Sequence, residues 1–176
     1  MLPEFPLPLT STTTSSEGPP APVGTTANDG LGNTYMLVQA KDAVTYAAGQ
    51  PVTWRSRSGY TVTNDISNSL ITTLMAGVAM SAPAENGYFW IQTGGYYASV
   101  KKDPSEDTWA AGDLGWPDAS VDGALSKGAF GGTSTAATSA ELLTFAKQIF
   151  GGGAIAVAAS TDGSTDTVPC HICCKR

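Results

Sequence analysis

The sequence predicts an all-β protein, a compact β barrel or sandwich, and three observations lead to that prediction. About eight short runs rich in β-branched and aromatic residues are separated by turn formers, as in small β barrels and sandwiches. Charged residues make up only 14% of the 176 residues, against about 25% in ordinary globular domains. Uncharged polar residues and glycine must therefore cover much of the surface. The third observation is a short sequence motif that occurs twice.

The repeated motif indicates a diverged internal duplication. Thr45–Gln50 is echoed by Thr108–Asp113, and further along Gly77–Ser81 is echoed by Ala156–Ser160. Both pairs run in the same order, and the second pair is more widely separated than the first. This favours a duplication with an insertion over chance matches. Duplicated, turn-punctuated β units build shells, barrels and fibres more often than active sites.

The first strands follow a cluster of turn formers, Asn28–Asn33, where the folded part is predicted to begin. Tyr35–Ala40 is largely apolar, which predicts a strand buried on both faces. Pro51–Arg55 alternates in residue type and is expected to keep one face in water. Tyr60–Thr63 is predicted to be a strand because of its aromatic and β-branched residues.

The next strands lie on either side of the turn signal Asn86-Gly87. Ala76–Met80 and Tyr88–Gln92 are predicted to pair through this turn, because Asn and Gly both tolerate positive φ. The two glycines Gly94-Gly95 are expected to close the second strand, and Tyr97–Lys101 to follow as a further strand.

The C-terminal half combines an acidic segment, one helix and two strands. Residues 103–122 are expected to form an exposed insertion, since they hold six acidic side chains and no basic one. Thr138–Glu141 matches a capping box ahead of apolar residues at helical spacing, which predicts one short helix near 139–150. Ala154–Ala159 and Thr167–Cys173 are predicted to be the last strands, joined by a turn at Asp162-Gly163.

Residues 1–28 are predicted to form a flexible Pro/Ser/Thr-rich arm outside a barrel domain of residues 29–176. Six of the eleven prolines precede Val23, and positions 10–16 are all Ser or Thr. Such a segment cannot bury enough apolar surface to offset its ordering entropy. Because Phe5, Leu7 and Leu9 alternate with prolines, two interpretations stay open: a solvated tail, or a strap that becomes ordered on a neighbouring subunit.

Composition and motif searches argue against several function classes. The net charge is −6 and no cation precedes Lys41, which predicts no nucleic-acid partner. No run approaches the roughly 18 apolar residues of a membrane helix, and the N-terminus lacks a basic n-region, so synthesis in a cytoplasm is expected. The single histidine, His171, has no glycine elbow or oxyanion turn near it. The glycine-rich runs lack phosphate-loop spacing. We therefore expect neither an enzyme nor a cofactor.

Two clusters offer metal-ligand chemistry without a convincing pattern. Asp103, Glu106 and Asp107 could hold Ca²⁺, but they lack a Gly-punctuated calcium loop, and a solvated charged face is the favoured interpretation. Three cysteines and a histidine are the ligand types of a Cys₃His zinc site. Their spacing is poor for zinc, because neighbouring residues of an extended chain point to opposite faces. No metal is therefore predicted.

The cysteines themselves, Cys170, Cys173 and Cys174, leave two further interpretations. In the first, the last strand places Cys170, Ile172 and Cys174 on one face, inert in a reducing cytoplasm. In the second, intermolecular disulfides lock neighbouring subunits after release into oxidising surroundings. Three thiols leave one unpaired in any intramolecular scheme, which favours an intersubunit disulfide.

The aromatic residues of the second half also allow two interpretations. They could form a sugar-stacking platform, or they could fill the core and a subunit interface. Consecutive aromatics on a strand face both ways, so some must lie in the core, and core packing is favoured. The residues are Tyr88, Phe89, Trp90, Tyr96, Tyr97, Trp109 and Trp116.

A series of segments resembles the head decoration proteins of tailed bacteriophages, also called capsid cement proteins. The resemblance covers about residues 29–172, mostly as pattern and turn placement, and its best single piece is the aromatic strand Gly87–Gly95. The other segments are Asp29–Tyr35, Ala47–Val52, Gly77–Ala79, Ala156–Ala158 and the closing strand. The acidic segment, the predicted helix and the cysteine-rich end have no match in that pattern.

The resemblance implies a structural, non-enzymatic virion protein. Such a protein is a compact β barrel, often a homotrimer, that binds the major capsid protein at three-fold positions on the outside of an icosahedral head. The arm would strap onto the capsid lattice through Phe5, Leu7 and Leu9. The protein would be made in the host cytoplasm and located on the head surface. The alternative from another class is a carbohydrate- or receptor-binding module of a phage fibre or cell surface.

Overall fold

The computed structural model describes residues 9–14, 16–42, 45–69, 75–105, 108–118, 120–127, 153–156, 160–161 and 166–174. These residues contain thirteen β-strands and one 3₁₀ turn, Ile66–Asn68, so the predicted all-β class is confirmed. The predicted helix near 139–150 lies outside the described residues. The strands are β1 (Thr12–Thr13), β2 (Thr26–Asn28), β3 (Thr34–Ala40), β4 (Pro51–Ser56), β5 (Thr61–Thr63), β6 (Met75–Ala79), β7 (Tyr88–Lys101), β8 (Thr108–Trp109), β9 (Leu114–Pro117), β10 (Leu125–Lys127), β11 (Gly153–Ala156), β12 (Ser160–Thr161) and β13 (Thr167–Cys173).

Five strands close a barrel in the order β7–β6–β4–β5–β3 and back to β7. Neighbours are antiparallel except β3 and β5, which run parallel. Tyr35 and Leu37 of β3 pack outward with Trp90, while alternate residues face the interior. The prediction that this strand is buried on both faces is therefore confirmed. The interior consists of Met36, Val38, Ala40, Tyr46, Val52, Trp54, Val62, Ala76, Ala79, Phe89 and Ile91.

The long strand β7 continues beyond this barrel and opens a second ring. The order of that ring is β7–β13–β11–β9–β10, and a parallel bridge between Lys102 and Leu125 returns it to the end of β7. Its interior contains Val100, Trp109, Val168 and Ile172. Met75 and Val78, from the outer face of β6, join the same cluster, so the second ring packs against the outside of the first barrel.

The repeated motif occupies the same place in both rings, which confirms the predicted duplication. In the first barrel the Gly49 amide donates to the Ala79 carbonyl at 2.9 Å, and in the second ring the Gly112 amide donates to the Ala156 carbonyl at 2.7 Å. The second echo is corrected by this geometry. Ala79 is equivalent to Ala156, and not to Ala158 as the sequence match implied.

Within each copy of the motif a side-chain oxygen closes the turn by accepting a hydrogen bond from a backbone amide. The Ala47 amide donates to Gln50 Oε1 at 2.7 Å, and the Ala110 amide donates to Asp113 Oδ2 at 2.8 Å. Gln and Asp both supply a side-chain oxygen, so the substitution preserves the turn. The strands correspond in the same way, since β4, β5, β6 and the first half of β7 match β9, β10, β11 and β13.

Strand β7 does not end at Gly94-Gly95, which corrects the prediction that the two glycines close it. The strand pairs with β3 up to Gly94 and with β13 from Gly94 onward, so both rings share it. Gly95 has φ +92°, and a Cβ there would overlap Asn33. Glycine is required here for close approach within a continuous strand, and not for termination.

The predicted pairing of β6 and β7 through Asn86-Gly87 is confirmed. Asn86 adopts φ +60°, and the Gly87 amide donates to the Ala84 carbonyl at 2.9 Å. The prediction that β4 keeps one wet face is wrong, because Pro51–Trp54 is buried throughout. The reason lies outside the local sequence: β4 contacts β9, so the second ring covers its outer face.

The acidic segment 103–122 is more buried than predicted. Asp103 and Asp118 have exposed fractions of 7% and 5%, and Trp109 is buried in the second core. The carboxylates cap turns: Asp118 Oδ1 accepts from the Val121 amide at 2.8 Å and from Ser120. Burial raises the pKa of Asp118, but the hydrogen bonds from these residues outweigh it and hold the pKa below its usual value.

The two equivalent glycines provide a matched test of backbone strain. Gly49 has φ +85° and a Cβ there would lie 2.5 Å from the Ser99 carbonyl oxygen, whereas Gly112 has φ +95° with no atom within 4 Å. Gly112→Ala is expected to lower the free energy of unfolding by about 1–2 kcal/mol, the cost of the left-handed conformation. Gly49→Ala is expected to cost more, because its methyl group also displaces Ser99. Urea unfolding of both variants measures the difference, and equal losses would contradict the assigned packing.

Candidate functional site

The described part of the arm lies on the sheet of its own chain. Thr12 and Thr13 of β1 pair antiparallel with Phe89 and Tyr88 at the start of β7. Leu9 packs against an outer cluster formed by Tyr35, Leu37 and Trp90. Leu9 is therefore already partly covered by the protein itself.

The structure describes the predicted arm from Leu9 onward, except Ser15. Thr26–Asn28 forms β2, which pairs with β3. Phe5 and Leu7, the other two predicted contact residues, lie outside the described residues. A strap onto another molecule would thus use the segment before Leu9, and the domain boundary at residue 28 stays a prediction.

The last strand separates the three cysteines. Cys170 is fully buried in the second core, and burial raises the pKa of its thiol to about 12. Cys173 is exposed, and Cys174 is half-buried. Burial, and to a lesser extent the neighbouring Cys173, raise the pKa of Cys174. Only Cys173 is therefore placed to meet another subunit freely.

Alternation along β13 agrees with the predicted faces. Cys170 and Ile172 point into the core, whereas His171 and Cys173 are exposed on the other face. His171 and Cys170 therefore do not converge on one metal. Across the described residues, His, Cys, Asp and Glu form no group of three or more that could hold a metal ion.

Non-reducing electrophoresis tests the assignment of Cys173. After air oxidation we expect the protein to form disulfide-linked dimers that dithiothreitol separates, since Cys173 is the one exposed cysteine of each chain. Cys173→Ser is expected to abolish the linked species, because the exposed thiol supplies the reactive thiolate. Cys170→Ser is the matched control and is expected to leave the linked species unchanged. Loss of the species with Cys170→Ser but not with Cys173→Ser would contradict the assignment.

Three of the seven aromatic residues lie in the cores. Phe89, Trp90 and Trp109 have exposed fractions of 2% or less, which confirms core packing for these three. Tyr96 is 53% exposed. A sugar platform built on Trp109 is thus ruled out by its burial.

A surface cavity of about 230 Å³ lies beside the first barrel. The Trp54 and Tyr60 rings meet edge-on, with their centroids 6.5 Å apart. Tyr60 belongs to a turn with φ +49°, not to the strand predicted from its sequence. The Trp54 indole N–H is buried and has no hydrogen-bond partner among the described residues. The lining residues are Gly24, Thr26, Met36, Trp54, Arg57 and Tyr60. We call this the Trp54–Tyr60 pocket.

The Trp54–Tyr60 pocket has the chemistry of a binding site for a small apolar group next to an anion. Its walls are aromatic, and Arg57 supplies a positive charge. Its volume is below the roughly 300–1,000 Å³ of typical small-molecule sites, so it suits a side chain or ring better than a cofactor.

Comparison of the chain with protein-family models, with curated proteins and with solved structures found no match. Among the described residues, no helix has the length and apolarity that crossing a membrane requires.

Proposed function

We propose that this chain is a structural virion protein that binds the outside of an icosahedral phage capsid and stabilises it as a cement or decoration protein. Its partners would be the major capsid protein and two further copies of itself, in a homotrimer on the head surface. It would be synthesised in the host cytoplasm and carry out no reaction. The sequence resemblance over residues 29–172 supports this proposal.

The observation that carries the proposal is a β barrel joined to a second ring of strands, together with an apolar, proline-rich sequence that precedes an anchored Leu9. Packing of Leu9 and pairing of β1 fix the base of that segment on the sheet. Phe5 and Leu7 would then become ordered on the capsid lattice. Burial of each side chain stabilises the complex by about 1.5–3 kcal/mol before ordering costs. Three arms on one trimer would bind with avidity.

The surface of the barrel and its second ring also supports a protein partner. Leu31 is 87% exposed and Tyr96 is 53% exposed, although both are large and apolar or aromatic. The Tyr96 amide donates to Asn33 Oδ1 at 3.0 Å, which holds the turn that carries Leu31 beside Tyr96. Neighbouring exposed hydrophobic groups on a surface poor in charge are typical of protein interfaces.

Cosedimentation with phage heads tests the proposed function. Purified protein is mixed with undecorated heads and with heads that already carry a decoration protein. Saturable binding to the undecorated heads alone is expected, with a stoichiometry that is a multiple of three per binding position. Absence of binding across a concentration series would contradict the proposal.

The alternative function, a carbohydrate- or receptor-binding module, is favoured by one observation, the Trp54–Tyr60 pocket with its aromatic walls. Glycan-array binding that is lost in Tyr60→Ala or Trp116→Ala would support it. The buried Trp109 is no longer a suitable test position.

A further inference from the structure

We propose that the Trp54–Tyr60 pocket is the docking site of the chain's own proline-rich segment, Pro3–Pro8. The occupant is a segment of the same molecule, bound as a polyproline II helix. The inference concerns the free protein in solution, and it does not rest on the proposed function.

The pocket offers what a polyproline helix binds. Such helices dock on aromatic-lined grooves, where rings pack against prolines. Three of the six residues from Pro3 to Pro8 are proline, a composition that favours this helix. The rings of Trp54 and Tyr60 form the aromatic part of the pocket lining, with their centroids 6.5 Å apart.

The aromatic wall is preformed and strained. Tyr60 is held at φ +49°, a conformation that is unfavourable for a residue with a bulky side chain. The Tyr60 carbonyl accepts a hydrogen bond from the Gln39 amide at 3.1 Å, which holds the residue in place. Its ring lies directly on Gly24, where a Cβ would come within 2.5–2.7 Å of ring carbons. Strained residues of this kind are concentrated at ligand clamps. The wall therefore does not need to form when the segment arrives.

The charges of the segment and the pocket are complementary. Pro3, Pro6 and Pro8 provide the rings, and Glu4 is the one charged side chain among residues 3–8. Arg57 lines the pocket and is exposed, with no salt bridge to any described residue. The neighbouring Arg55, by contrast, is paired with Asp42 at 3.6 Å. Arg57 is thus available for Glu4.

The segment is anchored close to the pocket. Leu9 packs on the face of β2 and β3 that carries Leu37, and the pocket lies on the opposite face, which carries Thr26 and Met36. The segment therefore has to pass round the edge strand β2 to reach the pocket. Residues 3–8 span about 19 Å as a polyproline helix, at about 3.1 Å per residue. Because the tether is short, the effective concentration is high.

Docking would determine when the arm is available. One segment cannot lie in its own pocket and on a capsid at the same time. If the proposed function is correct, the pocket holds the arm until capsid strands compete for it.

Paramagnetic relaxation in the full-length protein tests the docking. A nitroxide is attached to the α-amino group, which reacts selectively near pH 7 because its pKa lies about 2–3 units below that of lysine. The amide signals of Gly24, Thr26 and Tyr60 are expected to broaden, and that of Val168 in the second ring to stay sharp. A sample in which ¹⁵N-labelled chains carry no nitroxide and unlabelled chains carry it is expected to show no broadening.

A charge exchange then tests the contact itself. Glu4→Arg or Arg57→Glu alone is expected to reduce the docked population about two- to fivefold, the range of an exposed ion pair, and the double variant to restore it. Arg55→Glu, the same change two residues away, is expected to have no effect. Broadening in the mixed sample would overturn docking within one chain in favour of a neighbouring copy, and no broadening at the pocket would overturn docking altogether. Neither measurement uses capsids, so failure here is distinct from failure of the proposed function.

Discussion

Replacement of Phe89 by alanine is expected to lower the free energy of unfolding by about 3–5 kcal/mol, the range measured for large aromatic residues in protein cores. Phe89 is fully buried in the first barrel and its ring packs against that of Tyr46 at a centroid distance of 5.7 Å. It also lies where three strands meet, since it pairs with Val38 of β3 and Thr12 of β1. The deletion would leave a cavity that these strands cannot close without losing register.

Chemical denaturation followed by circular dichroism and by tryptophan fluorescence measures this loss. A single transition is expected with both probes, because β7 belongs to both rings and neither can unfold without it. Tyr96→Ala, on the same strand but 53% exposed, is the control and is expected to change stability by no more than about 0.5 kcal/mol. A small loss for Phe89→Ala, or two separate transitions, would contradict the shared-strand description.

The double substitution Phe5→Ser with Leu7→Ser is expected to weaken binding to capsids by at least a hundredfold. Each side chain would lose about 1.5–3 kcal/mol of burial, and about 1.4 kcal/mol corresponds to a factor of ten. Avidity multiplies the effect, since every arm of an oligomer is changed. A cosedimentation titration with undecorated heads gives the two affinities.

Thr10→Ala serves as the control, because Thr10 is an exposed neighbour of the same segment. It is expected to bind as the unsubstituted chain does. If the double variant kept full affinity, the arm would have no role in attachment, and the surface at Leu31 and Tyr96 would be the remaining candidate contact.

The elements that could be predicted from the sequence are those determined by local chemistry. The repeated motif contains a glycine that must take positive φ, Gly49 in one copy and Gly112 in the other. A residue with a side-chain oxygen follows that glycine in both copies. Both requirements can be read from the residues alone. The faces of the last strand followed from simple alternation, with Cys170 inward and Cys173 outward.

Two of the errors came from contacts between distant segments. Nothing near Gly94-Gly95 reveals that β13 will extend the sheet on the far side of β7. The wet face predicted for β4 is covered by β9, and the acidic residues near Asp118 are satisfied by turn amides. At Gly94-Gly95 and at β4 the tertiary partner decided pairing and burial, whereas Asp118 is satisfied locally, by amides two and three residues later.

The Trp54–Tyr60 pocket could not be predicted for the same reason. Gly24 and Tyr60 are far apart in the chain, and a tyrosine carries no sequence signal for positive φ. The β-branched residues that follow it indicated a strand, whereas Tyr60 belongs to the turn before β5.

The most direct test of the proposed cement role is the temperature at which phage heads break open, measured by light scattering with and without saturating protein. The bound protein is expected to raise this temperature, because ligands that bind the intact state alone stabilise it. The Phe5→Ser, Leu7→Ser variant is expected to raise it less at equal protein concentration. An unchanged temperature at full occupancy would contradict a stabilising role on the capsid.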